Sequence, residues 1–198
     1  MEALKVFNLI ILDESGSMSG VTAQTISGCN ETIDTIKEAQ KKYVAQKQYV
    51  SIFAFQAENP AKPSRYLLKN VSADDVKHIT NLDYQPNGAT NLNDAVGSTL
   101  SDLKVTCKFE GKAIGSVTII TDGYENASTE YMTSQVAQMI EELKAMGWSF
   151  NFIGANIDVV STAKNYHIDN FLEFQQDAEG TKEMFARERR SRMRWNER

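Results

Sequence analysis

Five side chains with oxygen donors could together hold a divalent cation. They are two carboxylates and three hydroxyls, belonging to Asp13, Ser15, Ser17, Thr90 and Asp122. Hard cations such as Mg²⁺ prefer oxygen ligands in octahedral geometry, and they usually keep some waters. If folding brings the five together, we expect Mg²⁺ there, with Mn²⁺ and Ca²⁺ as alternatives. Two carboxylates only just balance the charge of such an ion, so it would still favour an anionic ligand, ideally the carboxylate of a partner.

Apolar strands and amphipathic helices alternate along the chain and must position these donors. Strands are predicted at Lys5–Leu12, Tyr49–Gln56, Ser64–Val71, Gly115–Thr121, Trp148–Gly154 and Asn170–Phe174. Helices are predicted at about Thr22–Gln46, from Leu92 to Leu103, from Met132 to Leu143, at Asp158–Tyr166 and at Gly180–Trp195. The small residues of Ser15–Gly20 predict a loop. Only Ala57–Pro63 joins the second and third strands, which is too short for a crossover helix and predicts an antiparallel pair.

This alternation predicts an α/β fold with a doubly wound, mostly parallel six-stranded sheet. We expect the strand order 3-2-1-4-5-6, one antiparallel edge strand and helices on both faces. Strands one and four are then neighbours at the switch point, where ligands bind outside the carboxyl ends of the strands. Asp13 follows strand one and Asp122 follows strand four, so chemistry is expected there. Residues 1–198 are expected to form a single domain that ends in a basic helix at about 180–198.

Three motifs in this order resemble the metal-ion-dependent adhesion site of von Willebrand factor type A domains. They are Asp13-x-Ser15-x-Ser17, Gly88-x-Thr90 and Thr121-Asp122-Gly123, and the resemblance covers roughly Lys5–Phe174. It implies that Ser15, Ser17 and Thr90 bind the metal through their hydroxyls and that Asp13 and Asp122 act mostly through water. It also implies that a partner's acidic residue takes the remaining position. Asp122-Gly-Tyr-Glu-Asn-Ala-Ser128 and Phe152-Ile-Gly-Ala-Asn156 are similar to an intracellular bacterial branch of the family.

Three further residues are candidates for a rim that contacts the partner: Glu14, Asn91 and Glu125. Glu125 has a structural alternative, which is to cap the helix that follows it. A structural alternative also exists for the serines and glycines of the first motif and for Asp122-Gly123, since such residues are common in turns and helix caps.

Charge is distributed unevenly along the chain. Residues 181–198 contain seven Lys or Arg and three Asp or Glu, a charge of +4, whereas the other 180 residues carry −9. The acidic body argues against nucleic-acid binding. The basic segment could bind phosphate or an acidic partner, or it could form a solvated amphipathic helix. The spacing of its residues favours the helix.

The remaining composition indicates a cytoplasmic protein, and the resemblance to the intracellular branch implies a bacterial one. The longest apolar run near the amino terminus, Val6–Leu12, is far shorter than the ~20 residues of a membrane span, and we expect no contact with membranes. Cys29 and Cys107 fit a reducing compartment as two buried thiols, and a redox pair would require them to be close in space.

The sequence thus predicts a binding module, not an enzyme, that captures an Asp or Glu of a protein partner through the bound cation. One alternative is a metal-dependent phosphoester hydrolase, but Ser15 occupies the place of the general-acid aspartate of haloacid-dehalogenase-like phosphatases. The chain also contains neither a GxSxG nucleophile motif nor a GxxxxGK[ST] phosphate loop. The other alternative is a scaffold subunit of a larger nucleotide-driven assembly.

Overall fold

A six-stranded sheet forms the centre of the computed structural model, which describes residues 3–57, 62–154, 158–173 and 178–197. The strands are β1 (Leu4–Asp13), β2 (Gln46–Phe55), β3 (Arg65–Ser72), β4 (Ala113–Thr121), β5 (Ser149–Gly154) and β6 (Asn170–Glu173). Their order is β3-β2-β1-β4-β5-β6, and only β2 and β3 pair in the antiparallel sense. The predicted order and the antiparallel edge are both confirmed.

Five α-helices cover the two faces of the sheet. They are α1 (Thr22–Lys42), α2 (Leu92–Phe109), α3 (Thr133–Ala145), α4 (Val159–Asn165) and α5 (Ala178–Asn196). Two separate apolar cores result: α1 and α5 pack on one face, and α2, α3 and α4 pack on the other. Cys29 belongs to the first core and Cys107 to the second, so the sheet lies between the two thiols and they do not form a redox pair.

Local differences from the predicted elements have identifiable causes. The segment predicted as a loop at Ser15–Gly20 instead contains a 3₁₀ helix, Gly16–Val21, that leads directly into α1. Helix α1 ends at Lys42 and not at Gln46, because a turn with a 2.8 Å bond from Gln46 N to the Tyr43 carbonyl already starts β2. The predicted end of the last strand, Phe174, lies outside the described residues, as does Asn156.

Helix α5 is amphipathic with a solvated face, as predicted, but buried polar groups that the sequence did not indicate fasten its other face to the sheet. Arg192 is 2% exposed, and its guanidinium is 2.7 Å from the equally buried Glu188. It also donates to Asn8 Oδ1 at 2.6 Å, to Ser116 Oγ at 3.1 Å and to Thr118 Oγ1 at 2.8 Å. A buried charge is stable only when it is paired and hydrogen-bonded, and these strand residues supply the acceptors. No helix in the described ranges is long and apolar enough to cross a membrane.

Candidate metal centre

The carboxyl ends of β1 and β4 bring the two predicted carboxylates to one place. Asp13 is the last residue of β1 and Asp122 follows β4, its neighbour in the sheet. Ser17 Oγ donates a hydrogen bond to Asp122 Oδ1 at 2.7 Å, and Ser15 Oγ is 3.1 Å from Ser17 Oγ. The Ser17 hydroxyl of the first motif is therefore in direct contact with the carboxylate of the last, although 105 residues separate them in the chain.

Thr90 joins this group across Gly123. A Cβ atom placed on Gly123 would lie 3.0 Å from Thr90 Oγ1 and 3.6 Å from Ser17 Oγ. Both hydroxyls thus face the space that the glycine leaves free. Ser17 is exposed, whereas Thr90 and Asp122 are only 3% and 5% exposed, so the group opens to solvent on one side. The structure brings the predicted donors together at the predicted edge of the sheet.

Asp13 is fully buried and tightly hydrogen-bonded. Its Oδ1 accepts from the backbone N–H of Ser15 at 2.8 Å, and its Oδ2 accepts from Thr121 Oγ1 at 2.5 Å. Burial raises the pKa of Asp13 from 3.8 to about 6, because desolvation disfavours the charged form. The nearby Asp122 carboxylate also raises this pKa, whereas the hydrogen bonds from Thr121 and Ser15 lower it. A cation bound here would remove much of that penalty.

Gly88 lets the Thr90 segment approach β2 and the first motif. Its φ of +90° lies in the left-handed region, and a Cβ would come within 2.2 Å of the Ala57 carbonyl oxygen. The next residue, Ala89, exchanges two backbone hydrogen bonds with Ala57, at 2.8 and 3.0 Å. The Gly88 carbonyl accepts from Gly16 N at 2.9 Å. The backbone conformation and the close approach of Ala57 therefore both require a glycine at position 88.

Glu14 does not contribute to a rim for a partner, which corrects the prediction. Its side chain is fully buried and forms ion pairs with Arg65 at 2.6 Å and Lys62 at 2.9 Å. It also accepts from Gln85 N at 2.7 Å. Burial alone would raise the pKa of Glu14, but hydrogen bonds from Arg65, Gln85 and Lys62 outweigh it and hold the pKa below its ordinary value. Glu14 thus anchors the segment before Thr90 to the first motif.

Glu125 is likewise occupied by structural bonds and is not free to contact a partner. Its carboxylate accepts from the backbone N–H groups of Asn93, Ala127 and Ser128 at 2.7 to 2.9 Å, and from Ser128 Oγ at 2.7 Å. Asn93 lies in the first turn of α2, so Glu125 caps the helix before it in the chain and not the helix after it. An anion at a helix amino terminus is favoured by the helix dipole.

Asn91 remains a predicted rim residue. It precedes α2, and its side chain makes no capping hydrogen bond to the helix. Its Oδ1 atom is buried without a hydrogen-bond partner among the described residues.

Sequence reasoning missed several residues that set the geometry of the site. Tyr84 donates its hydroxyl to the Asp13 carbonyl at 2.6 Å, and Asn126 Oδ1 accepts from Thr90 N at 3.0 Å. Tyr124, in the loop after Asp122, is 58% exposed, and its hydroxyl accepts from Asp158 N at 3.0 Å. No local pattern marks these residues, although Tyr124 and Asn126 lie within the Asp122–Ser128 stretch that carries the resemblance.

The donor set consists of two carboxylates and three hydroxyls, without a third acidic or imidazole ligand. Within the part of the chain that the structure describes, no group of three or more His, Cys, Asp or Glu side chains could hold a metal ion. Any cation at this site would therefore depend on hydroxyls, waters and an additional ligand. Oxygen-only sites of this kind suit Mg²⁺ and Mn²⁺.

Comparisons with known proteins find similarity in structure. Neither a protein-family model nor a curated protein sequence matches the chain. The pilus adhesin SpaC of Lactobacillus rhamnosus GG has a TM-score of 0.68 at 10% identity, over 98% of this chain and 30% of the adhesin. The PilB minor pilin of Streptococcus sanguinis has a TM-score of 0.64 at 12% identity, over 98% of this chain and 62% of the pilin. The manganese-loaded TRAP protein of Plasmodium vivax has a TM-score of 0.57 at 17% identity, over 87% of this chain and 68% of the TRAP chain.

These similarities establish the fold and nothing finer. The chain spans only about a third of the adhesin and under two thirds of the pilin. Identities of 10 to 17% do not carry a function from one protein to another. The chain has a doubly wound α/β fold, with its candidate donors at the switch point of the sheet.

Proposed function

We propose that this chain is a protein-binding module that captures an acidic residue of a partner through a divalent cation. Asp13, Ser15, Ser17, Thr90 and Asp122 would hold the cation, as Mg²⁺ or Mn²⁺. One observation carries the proposal: three motifs far apart in the chain converge, and Ser17 Oγ bonds Asp122 Oδ1 at 2.7 Å.

Two features of the site support the fit of a cation. The space beside Gly123 is bordered by two hydroxyls, which are neutral oxygen ligands of the kind that Mg²⁺ accepts. The carboxylate of Asp13 is buried, and among the described residues no cationic side chain is one of its hydrogen-bond partners. A bound cation would supply positive charge to this carboxylate and to an anion arriving from solvent. The manganese-loaded TRAP protein, which shares the fold, is a further reason to test this metal.

The partner group is proposed to be a carboxylate because of charge. Asp13 and Asp122 together neutralise a divalent cation, so a neutral partner group would gain little from it, whereas a carboxylate gains a charge-assisted contact. The exposed ring of Tyr124 lies in the same loop as Asp122 and offers an apolar contact next to it. Tyrosine is enriched among the residues that dominate binding energy at interfaces.

The proposed role is binding and not catalysis. Asp13, the candidate nucleophile of a hydrolase, is buried with both carboxylate oxygens hydrogen-bonded. Ser15 supplies no general acid two residues later. We also propose a cytoplasmic location, supported by two thiols that are both free and buried. A bacterial source is proposed from the sequence resemblance of Asp122–Ser128.

The test is selection of random peptides on the immobilised chain, with Mn²⁺ and, separately, with EDTA. We expect enriched peptides to share an Asp or Glu and to be lost with EDTA. Thr90→Ala removes one hydroxyl and should abolish capture while circular dichroism stays unchanged. Ser98→Ala removes an exposed hydroxyl of α2 and should capture normally. Peptides without a shared acidic residue, or capture that survives EDTA, would contradict the proposal.

A further inference from the structure

The arginines of α5 fall into two groups according to their partners. Arg189 pairs with Glu38 of α1 at 2.6 Å, and Arg192 pairs with Glu188 in the interior at 2.7 Å. These two arginines fasten α5 to the rest of the molecule. Their charges are neutralised within the fold.

Three other arginines share a separate face of α5. Arg187, Arg190 and Arg194 are spaced by three and four residues, which places them in one row along the helix. The only carboxylate paired with this row among the described side chains is Glu183, which is 3.9 Å from Arg187 and itself exposed. Surface pairs at such distances contribute little. The row therefore carries an excess of positive charge on an otherwise acidic protein.

The row lines a cleft of about 310 Å³, which we call the arginine cleft. Its other walls are polar or aromatic and come from Ser149, Asn170, Ser191 and Trp195. The indole of Trp195 is held by a 3.3 Å hydrogen bond from its Nε1 to the Gly147 carbonyl. Because Ser149 and Asn170 are the first residues of β5 and β6, the cleft lies at the opposite end of the sheet from Asp13 and Asp122.

We propose that the arginine cleft binds a phosphate-bearing ligand. Guanidinium groups bind phosphate oxygens in a bidentate manner, and a row of arginines at helical spacing can engage one phosphate from two sides. Ser149, Ser191 and Asn170 offer additional hydrogen-bond donors to the phosphate oxygens. The volume lies at the lower end of the ~300–1,000 Å³ typical of small-ligand sites. Asp169, which precedes Asn170, is paired with Lys144 at 2.5 Å, so its charge is partly offset.

Pyrophosphate is the first probe, because it offers phosphate chemistry without a base or a peptide. Trp195 in the cleft wall provides a fluorescence signal, and the titration is run at constant ionic strength with chloride as the balancing anion. We expect a saturable change in the full chain. Arg190→Gln combined with Arg194→Gln should raise the Kd at least tenfold. Arg189→Gln removes a charge from another face of the same helix and should change the Kd less than twofold.

Two further probes distinguish the source of the phosphate. A phosphoserine peptide that binds more tightly than pyrophosphate would assign the site to a phosphorylated protein, and a nucleoside triphosphate that binds more tightly would assign it to a nucleotide. Either result supports the proposal. A response that does not saturate, or one that Arg189→Gln weakens as much as the double variant does, would overturn it.

Discussion

The buried carboxylate of Asp13 is expected to destabilise the metal-free protein at neutral pH. Burial raises its pKa from 3.8 to about 6 in the folded state, and unfolding returns it to the ordinary value. One pKa unit corresponds to about 1.4 kcal/mol, so the shift of about two units amounts to roughly 3 kcal/mol. This is a substantial fraction of the ~5–15 kcal/mol that stabilises an ordinary domain.

The direction of the pH dependence follows from which state binds the proton. Between pH 4 and pH 6, Asp13 is protonated in the folded state and ionised in the unfolded state. The contribution of Asp13 to the free energy of unfolding therefore falls as the pH rises through this window, and it is constant above it. Glu14 behaves in the opposite way, because its folded pKa is lowered, and its stabilisation is lost only as the pH falls below about 4.5.

Urea unfolding of the EDTA-treated protein from pH 5 to pH 7.5 measures this contribution. Asp13→Asn is the matched variant, since the amide keeps the size of the side chain and can donate to Thr121 Oγ1 but does not titrate. We expect wild type to lose about 1.4 kcal/mol of stability relative to Asp13→Asn as the pH rises from 5 to 7.5, nearly all of it below about pH 6.5, because only about one unit of the pKa shift lies within this range. Parallel curves for the two proteins would refute this reasoning about the burial of Asp13.

Three substitutions test the packing that positions the site, each measured by urea unfolding of the metal-free protein. Arg192→Leu should cost about 3–5 kcal/mol because it leaves Glu188 buried without its partner, and a loss below about 1 kcal/mol would contradict this. Gly28→Ala should cost about 1–3 kcal/mol, since its Cβ would lie 1.8 Å from the Phe185 ring, and unchanged stability would show that α5 yields freely. Gly88→Ala, at a φ of +90°, should lower the free energy of unfolding by at least about 1 kcal/mol and weaken Mn²⁺ binding. Unchanged stability together with unchanged Mn²⁺ affinity would contradict the role given to this glycine.

The sequence predicted the strand order and the meeting of Asp13 with Asp122 because both depend on simple rules. Apolar strands that alternate with helices form a parallel sheet, and a loop at the carboxyl end of each strand is a consequence of that topology. The antiparallel strand followed from the length of one connection. The local 3₁₀ helix after Asp13 was missed, since its serines and glycines are equally common in loops.

The roles of Glu14 and Arg192 could not be predicted because their partners are distant in the chain. Glu14 lies next to the first motif, but its ion pairs come from Lys62 and Arg65, about fifty residues later. Arg192 is one of several arginines in a short segment, and nothing local indicates which of them is buried. Asn8 was the available signal, because an amide within an apolar strand requires a buried polar partner.

The most direct test of the account is calorimetric titration of the metal-free chain with Mn²⁺ and with Mg²⁺. We predict one saturable site in wild type that is lost in Asp122→Ala and retained in Asp75→Ala, which removes an exposed carboxylate elsewhere. Equal binding to all three proteins would place the metal somewhere other than this site. The absence of heat in wild type, together with unchanged thermal stability in millimolar Mn²⁺, would contradict the metal centre itself.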